Sequence, residues 1–264
     1  MGKIKRLANI FQADGNAIVT AMDHGCNSGP MAGIESAAAT LQKVIDAGTD
    51  GVLVNIGILK KYESILARTG VIVRCDFPCT DYITNSRDSE LSVTVEEAVR
   101  AGADAVIFNG GPNPAGDVSL ERGFMKICGA LRRECDIYGM PLIAEVVPGG
   151  FNAPECVNLE SLKIGARIAA EWGADALKMA YRPGYEEVVD GCEGLPILVL
   201  GGAKTKSDYD FLANIEGAMK AGAHGVAIGR NIWGNAHPDR FIATLKGLVH
   251  EGLSLDEAYK RMED

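Results

Sequence analysis

The chain has 264 residues, with 26 Lys and Arg against 35 Asp and Glu, and its net charge of −9 argues against a general nucleic-acid-binding surface. Apolar residues make up 47% of the chain, enough for a sizeable core, and no apolar run is long enough to cross a membrane. The seven cysteines are irregularly spaced without a C-x-x-C pair, which indicates neither a disulfide framework nor a zinc site.

The first eleven residues predict a short amphipathic helix. They read MGKIKRLANIF, a basic start without the long apolar region or the small-residue cleavage site of a signal peptide. We therefore expect a cytoplasmic protein.

One pattern occurs four times along the chain and organises it. A helical stretch ends at a glycine, turns over two residues and continues as an apolar run, which is typical of a helix leading into a buried strand. The pattern occupies residues 47–54, 101–108, 172–179 and 221–228. Its glycines are 54, 71 and 49 residues apart, about twice the length of a β/α unit, so another strand is expected between each pair.

Apolar runs fill those gaps and predict eight strands in all. They lie at 17–22, 71–75, 142–147 and 197–200, with helical patterns near 33–47, 58–68, 94–101, 117–138, 158–172, 184–190, 207–221 and 238–249. Ser207 and Pro238 mark two helix starts. We predict an α/β fold consisting of a single (β/α)8 TIM barrel, one catalytic domain over residues 1–264. The long loop 76–92, polar at 85–89, is interpreted as either a lid or a plain surface excursion.

Lys178, near the end of the sixth predicted strand, is the residue that most needs an explanation. Strand alternation puts it on one face with Ala176 and Ala180, and Leu177 and Met179 on the other. Burial disfavours the ammonium form and frees the lone pair to attack a carbonyl carbon. The segment alone leaves open a second interpretation, a buried lysine paired with a carboxylate for structural reasons.

The other candidate residues lie where the strands end, the edge at which such barrels carry their chemistry. Glu145 lies on the fifth strand, next to Lys178. This pair indicates either proton transfer during imine formation or an ion pair that keeps the lysine protonated and inert. Asp23 and His24 follow the first strand, where Asp23 could act on a substrate hydroxyl and His24 could do acid–base work or hydrogen-bond locally.

Glycine pairs follow the seventh and eighth strands and indicate a phosphate site. Glycines let backbone amides approach an anion, and nearby cations add charge, although the same glycines could simply close tight turns. Two such segments on adjacent strands favour phosphate binding by Gly201, Gly202, Lys204, Gly229 and Arg230. Of the four histidines only His24 is expected in the pocket, so a histidine-rich metal site is not expected.

Several of these motifs together resemble a known family. Asp23-His24-Gly25 with Gly29-Pro30, Lys178, and the segments 201–204 and 229–232 are similar to the archaeal-type class I fructose-bisphosphate aldolases. Their relatives include the aminodideoxyheptulosonate synthases and the thiolase that acts on phosphorylated autoinducer-2. The resemblance implies a Schiff base between Lys178 and a phosphorylated ketone, with Asp23 assisting and the glycine pairs and Arg230 holding phosphate. It implies no metal or other cofactor, and a homo-oligomer.

One residue departs from the family pattern. The aldolases carry a proton-transferring tyrosine just before the proline that follows strand five, and here Val147 precedes Pro148. Glu145 or a water could replace it, or the reaction could differ from fructose bisphosphate cleavage. We therefore expect a class I aldolase for a phosphorylated ketose or a dihydroxyacetone-phosphate-like ketone. The alternatives are a thiolase-type acyl transferase using the same lysine, a phosphate-binding barrel isomerase and a non-catalytic sugar-phosphate sensor.

Overall fold

Eight parallel strands close into a barrel in which consecutive strands are neighbours, as the repeated pattern predicts. The computed structural model describes residues 2–77, 79–83, 89–202 and 207–263. A short antiparallel pair, β4 with β5, lies outside the barrel between its third and fourth strands. The strands are β1 (Ala17–Ala21), β2 (Gly51–Asn55), β3 (Gly70–Arg74), β4 (Asp76–Phe77), β5 (Glu90–Leu91), β6 (Ala105–Gly110), β7 (Leu142–Val146), β8 (Ala176–Met179), β9 (Ile197–Leu200) and β10 (Gly225–Ile228).

Helices connect the strands and form the outer layer. The helices are α1 (Lys3–Leu7), α2 (Gly25–Ser28), α3 (Ala37–Asp46), α4 (Ile56–Lys61), α5 (Glu63–Leu66), α6 (Val95–Arg100), α7 (Val118–Tyr138), α8 (Leu159–Glu171), α9 (Glu186–Gly191), α10 (Asp208–Lys220), α11 (Arg230–Trp233), α12 (Pro238–Val249) and α13 (Leu255–Glu263). A single 3₁₀ turn covers Pro154–Cys156.

Most predicted helices are confirmed, and the differences have local causes. The helix predicted near 58–68 is two helices, because Tyr62 has φ −121° and ψ 31° and interrupts the first one. Ser207 caps α10 by accepting a hydrogen bond from the Asp210 amide, and Pro238 opens α12. The loop predicted over 76–92 begins and ends in the β4–β5 pair, and its residues 84–88 lie outside the described residues. Helix α13 has no counterpart in the sequence prediction.

The barrel interior is filled by small and branched side chains that alternate with outward-facing ones. Ala176 belongs to this inner cluster, whereas Leu177 and Met179 pack against the helices, which confirms the predicted alternation. Ile10, just after α1, is completely buried in the inner cluster and belongs to the segment at the amino-terminal end of the barrel. The interior of the barrel is therefore apolar toward the amino-terminal ends of the strands, and polar side chains concentrate at their carboxyl ends.

The four repeated turns are built in the same way. Their glycines have φ between +89° and +95°, a backbone conformation that favours glycine. The carboxylates of Asp50, Asp104 and Asp175 each accept the amide of a residue at the start of the preceding barrel strand, at 2.6, 3.0 and 2.9 Å. In the fourth turn, Nδ1 of His224 accepts the Ile197 amide at 3.4 Å. The repeat thus ties strands together in pairs at the amino-terminal face.

Over the described part of the chain, no helix combines the length and the apolar character that crossing a membrane requires.

Candidate active site

A cavity of about 450 Å³ opens at the carboxyl ends of the strands. Its polar lining comes from barrel strands and from the segments that follow them, which is where parallel barrels carry their chemistry. Met31, Ile83 and Phe151 add apolar surface. The sequence-predicted residues that line it are Asp23, His24, Glu145, Lys178 and Arg230.

Lys178 and Glu145 form an ion pair beside this cavity. The two residues are partners in the parallel register of β7 and β8, so their side chains leave the same face of the sheet. The Nζ atom of Lys178 lies 2.6 Å from Oε1 of Glu145, and the two side chains are only 7% and 4% exposed. Because both residues also line the cavity, a bound molecule can reach the amine.

Arg74, a residue that we did not single out in the sequence, completes the charged cluster. It lies at the end of β3, and its buried guanidinium contacts Asp23 at 2.9 Å, Asp76 at 3.3 Å and the second carboxylate oxygen of Glu145. Asn109 donates to the other oxygen of Asp76 and, at 2.8 Å, contacts Ser89. One signal was available: Arg74 is a charged residue in an otherwise apolar strand, two positions from the inward-facing Ile72.

The positive charges of this cluster stabilise the carboxylates of Glu145 and Asp23, whereas burial raises the pKa of the third carboxylate, Asp76. Burial by itself raises the pKa of Glu145, but the positive charges of Lys178 and Arg74 outweigh it and hold that pKa below its usual range. The same balance lowers the pKa of Asp23, with Arg74 as the strongest neighbouring charge, then Lys178 and His24. Both carboxylates are therefore ionised at neutral pH.

His24 lies at the edge of the cluster as a neutral side chain. Burial is the main cause that lowers its pKa, and the charges of Lys178 and Arg230 act in the same direction against the attraction of Asp23. Its Nδ1 is 3.6 Å from Oδ1 of Asp23, beyond hydrogen-bonding distance, and its ring meets the edge of Trp233. A neutral imidazole at this place can accept or donate one hydrogen bond.

Four of the predicted phosphate residues, Gly201, Gly202, Gly229 and Arg230, lie at the ends of β9 and β10. Arg230 donates a hydrogen bond to the carbonyl oxygen of Gly202 at 3.3 Å, which connects the two strand ends. A Cβ at Gly229 would lie 2.4 Å from the backbone oxygen of Ala21, so no larger residue fits against the end of β1. Gly201 packs beside Asn231. Lys204 lies outside the described residues.

The position that carries tyrosine in the similar aldolases is buried and apolar in this chain. Val147 follows β7 directly, its side chain is almost fully buried, and its amide donates to the oxygen of Gly110 at 2.8 Å. Val147 is not among the residues that line the cavity, whereas Glu145, two residues earlier, faces it. The titratable side chains around Lys178 are instead those of Glu145, Asp23 and His24.

A parallel (β/α)8 barrel with a buried amine among carboxylates at the carboxyl ends of its strands has the groups that covalent chemistry on carbonyl compounds requires. The chain belongs to the DeoC/LacD aldolase family, whose model matches residues 17–235.

Three similar proteins span almost the whole chain. A 2-amino-3,7-dideoxy-D-threo-hept-6-ulosonate synthase of Archaeoglobus fulgidus is 33% identical over 97% of this chain and 94% of its own length. A class 1 fructose-bisphosphate aldolase of Thermoproteus tenax is 31% identical over 96% of this chain and 97% of its own. The solved structure of a Schiff base-forming fructose-1,6-bisphosphate aldolase superposes with a TM-score of 0.82 at 32% identity, covering 94% of this chain and all of that one. The protein is thus a class I aldolase, which confirms the family and the enzyme class expected from the sequence.

Proposed function

We propose that Lys178 is the Schiff-base lysine and that the substrate is a phosphorylated ketose or a dihydroxyacetone-phosphate-like ketone. The observation that carries the proposal is the position of the amine, buried on the sixth barrel strand, in contact with Glu145 and lining a cavity of about 450 Å³. A cavity of this size accommodates a small sugar phosphate. The similarity to a class 1 fructose-bisphosphate aldolase supports the same substrate class.

In the first half of the reaction, the neutral amine of Lys178 attacks the ketone carbon. The new N–C bond gives a carbinolamine, whose hydroxyl group takes a proton and leaves as water, so that a protonated imine remains. Glu145 is the acid and base for these steps, since its carboxylate touches the amine at 2.6 Å. Ionised Glu145 also stabilises the positive charge of the imine.

In the second half, the imine accepts the electron pair of the carbon–carbon bond that breaks. The hydroxyl group on the departing carbon gives its proton to a carboxylate and the fragment leaves as an aldehyde, while the other fragment stays on Lys178 as an enamine. Asp23, ionised and held by Arg74, assists at this hydroxyl group. Protonation of the enamine and addition of water then release the product and restore the amine. The same steps in reverse join the two fragments.

The phosphate of the substrate is assigned to the ends of β9 and β10. The glycines at 201, 202 and 229 would let backbone amides approach an anion, and Arg230, which contacts the Gly202 carbonyl oxygen, would supply positive charge. His24 lines the cavity, close to Gly229 and within the electrostatic influence of both Lys178 and Arg230, and is assigned to substrate binding. Lys204 keeps its predicted role as a phosphate ligand, based on its place in the sequence motif.

Val147 gives a specific reason to keep a second candidate, a thiolase-type acyl transferase that uses the same lysine. Without a hydroxyl group at position 147, the proton transfer for which the similar aldolases use a tyrosine falls to Glu145 or to a water. Transfer of an acyl group from a phosphorylated diketone to coenzyme A would use the same imine. The two candidates differ in their need for that acceptor.

An assay with a panel of phosphorylated ketoses, each with and without coenzyme A, tests the proposal. We expect cleavage of at least one phosphorylated ketose without coenzyme A, little turnover of its unphosphorylated counterpart, and none in Lys178→Arg. Turnover that requires coenzyme A would select the acyl transferase. Undiminished activity of Lys178→Arg would overturn the proposed role of the lysine.

The proposal also includes a cytoplasmic location and a homo-oligomeric state. The irregular cysteine pattern, which does not suit a disulfide-stabilised secreted protein, supports the location. The family resemblance supports the oligomer.

A further inference from the structure

Arg74 is a second buried cation beside the amine of Lys178, and both contact Glu145. Arg74 is 7% exposed and contacts three carboxylates that come from three different parts of the barrel edge. Its Nε donates to Oδ2 of Asp23 at 2.9 Å, its Nη1 to Oδ1 of Asp76 at 3.3 Å, and its Nη2 to Glu145. Every nitrogen atom of the guanidinium group therefore faces an acid.

Glu145 is shared between this guanidinium group and the amine. One of its oxygens contacts Lys178 and the other contacts Arg74, so both cations stabilise the same negative charge. The reaction needs Lys178 as a neutral amine, and three buried carboxylates with an ammonium group as their only counter-ion would hold its proton firmly. Arg74 keeps its charge throughout, because the surrounding carboxylates outweigh its burial and hold its pKa well above the usual range.

We propose that Arg74 is a positioning residue that carries the counter-charge of Glu145 and Asp23, so that Lys178 can lose its proton and attack the substrate. The inference rests on the lysine chemistry of the proposed function and explains how an ion-paired lysine becomes a nucleophile. Among the described residues, the titratable and charged side chains that line the cavity with Lys178 are Asp23, His24, Arg74, Cys79, Asp81, Glu145 and Arg230, and Asp76 contacts Arg74.

The test is the pH dependence of imine trapping with dihydroxyacetone phosphate and sodium cyanoborohydride. In Arg74→Gln the positive charge is lost, the ammonium form of Lys178 is stabilised, and the pH midpoint of adduct formation should rise by about one unit or more. Arg74→Lys keeps the charge and should lie much closer to the wild type. If Arg74 had only a structural role, Arg74→Gln would form less adduct at every pH while its midpoint stayed in place.

A variant of opposite sign decides the question if Arg74→Gln does not fold. Asp76→Asn removes a negative charge that contacts Arg74 but not Lys178, so the midpoint should fall below that of the wild type. An unchanged or raised midpoint in Asp76→Asn would overturn the inference. The outcome for the proposed function is separate: a wild-type protein that forms no adduct refutes the lysine chemistry itself, whereas a wild-type adduct with unmoved midpoints in the variants refutes only the role of Arg74.

Discussion

At the level of single residues, the carboxyl-terminal edge of the barrel contains one ion pair that the sequence predicts, Glu145 with Lys178, and one cation that it does not predict, Arg74. Glu145 and Lys178 lie on neighbouring strands, and the alternation of side chains along each strand directs both to the same face of the sheet. In the structure, Nζ of Lys178 lies 2.6 Å from Oε1 of Glu145. Which acid or base pairs with which depends on the strand register and the side-chain geometry of the closed barrel. For that reason Arg74, which links β1, β3 and β7, was not identified from the sequence.

Replacing Glu145 tests whether its carboxylate transfers protons during turnover. Glu145→Gln keeps the shape of the side chain and a hydrogen-bonding oxygen but cannot accept a proton, so turnover should fall by about 10²–10⁴-fold. The adduct on Lys178 should still form to completion on long incubation because the nucleophile is retained, although more slowly, since Glu145 is assigned the proton transfers of imine formation. Parallel measurement of steady-state turnover and of reductive trapping separates the two effects, and an unchanged rate would remove Glu145 from the mechanism.

A matched control comes from another carboxylate of similar type. Glu155 is exposed and does not line the cavity, so Glu155→Gln should leave both turnover and trapping at their wild-type values.

At the scale of elements, the repeated turn is both the best sequence signal and a structural unit. The glycine stop predicted the strand starts correctly, and the following Asp or His accepts the amide of a neighbouring strand. The pattern did not predict helix α13, because no strand follows it in the chain to mark its end. This helix is held by tertiary packing, in which Leu255 and Ala258 are buried. Its cap, Ser254 with Glu257, was present in the sequence but was not interpreted.

The carboxylates of the repeated turns should stabilise the barrel. In Asp104→Ala the Val71 amide and the Asn9 side chain each lose an acceptor, which should lower the free energy of unfolding by about 1–3 kcal/mol. Urea unfolding measures this, and the exposed Asp190→Ala serves as the control, with an expected change of less than about 0.5 kcal/mol. Equal stability of the two variants would contradict a structural role for the repeat.

At the level of the whole molecule, His250 connects the end of helix α12 to Asp14, in the segment before β1, and to Asp50, before β2. Nδ1 of His250, at the end of α12, lies 2.7 Å from Asp14, and its Nε2 lies 3.0 Å from Asp50. Hydrogen bonding to Asp50 raises the pKa of His250, and Asp14 adds to this against the opposing effect of burial. Both ring nitrogens face carboxylates, so the charged form of the imidazole is the one that fits.

The predicted single domain over residues 1–264 stays a prediction.

The stability contributed by His250 should therefore depend on pH. Because the pKa is higher in the folded than in the unfolded state, the contribution is fully present below the unfolded value of roughly 6.5 and is lost as the pH rises through the folded value. The difference in unfolding free energy between the wild type and His250→Gln should be larger at pH 6 than at pH 9. A difference that is constant or grows with pH would show that the histidine is not held in its charged form.

The central claim is that the amine of Lys178 forms a covalent bond with the carbonyl carbon of a phosphorylated ketone. The direct measurement is peptide mass spectrometry of the protein after borohydride reduction with dihydroxyacetone phosphate. The account predicts one added reduced substrate per chain, located on Lys178, and loss of tryptic cleavage after that residue. An unmodified Lys178, or a modification only at exposed lysines, would contradict the account.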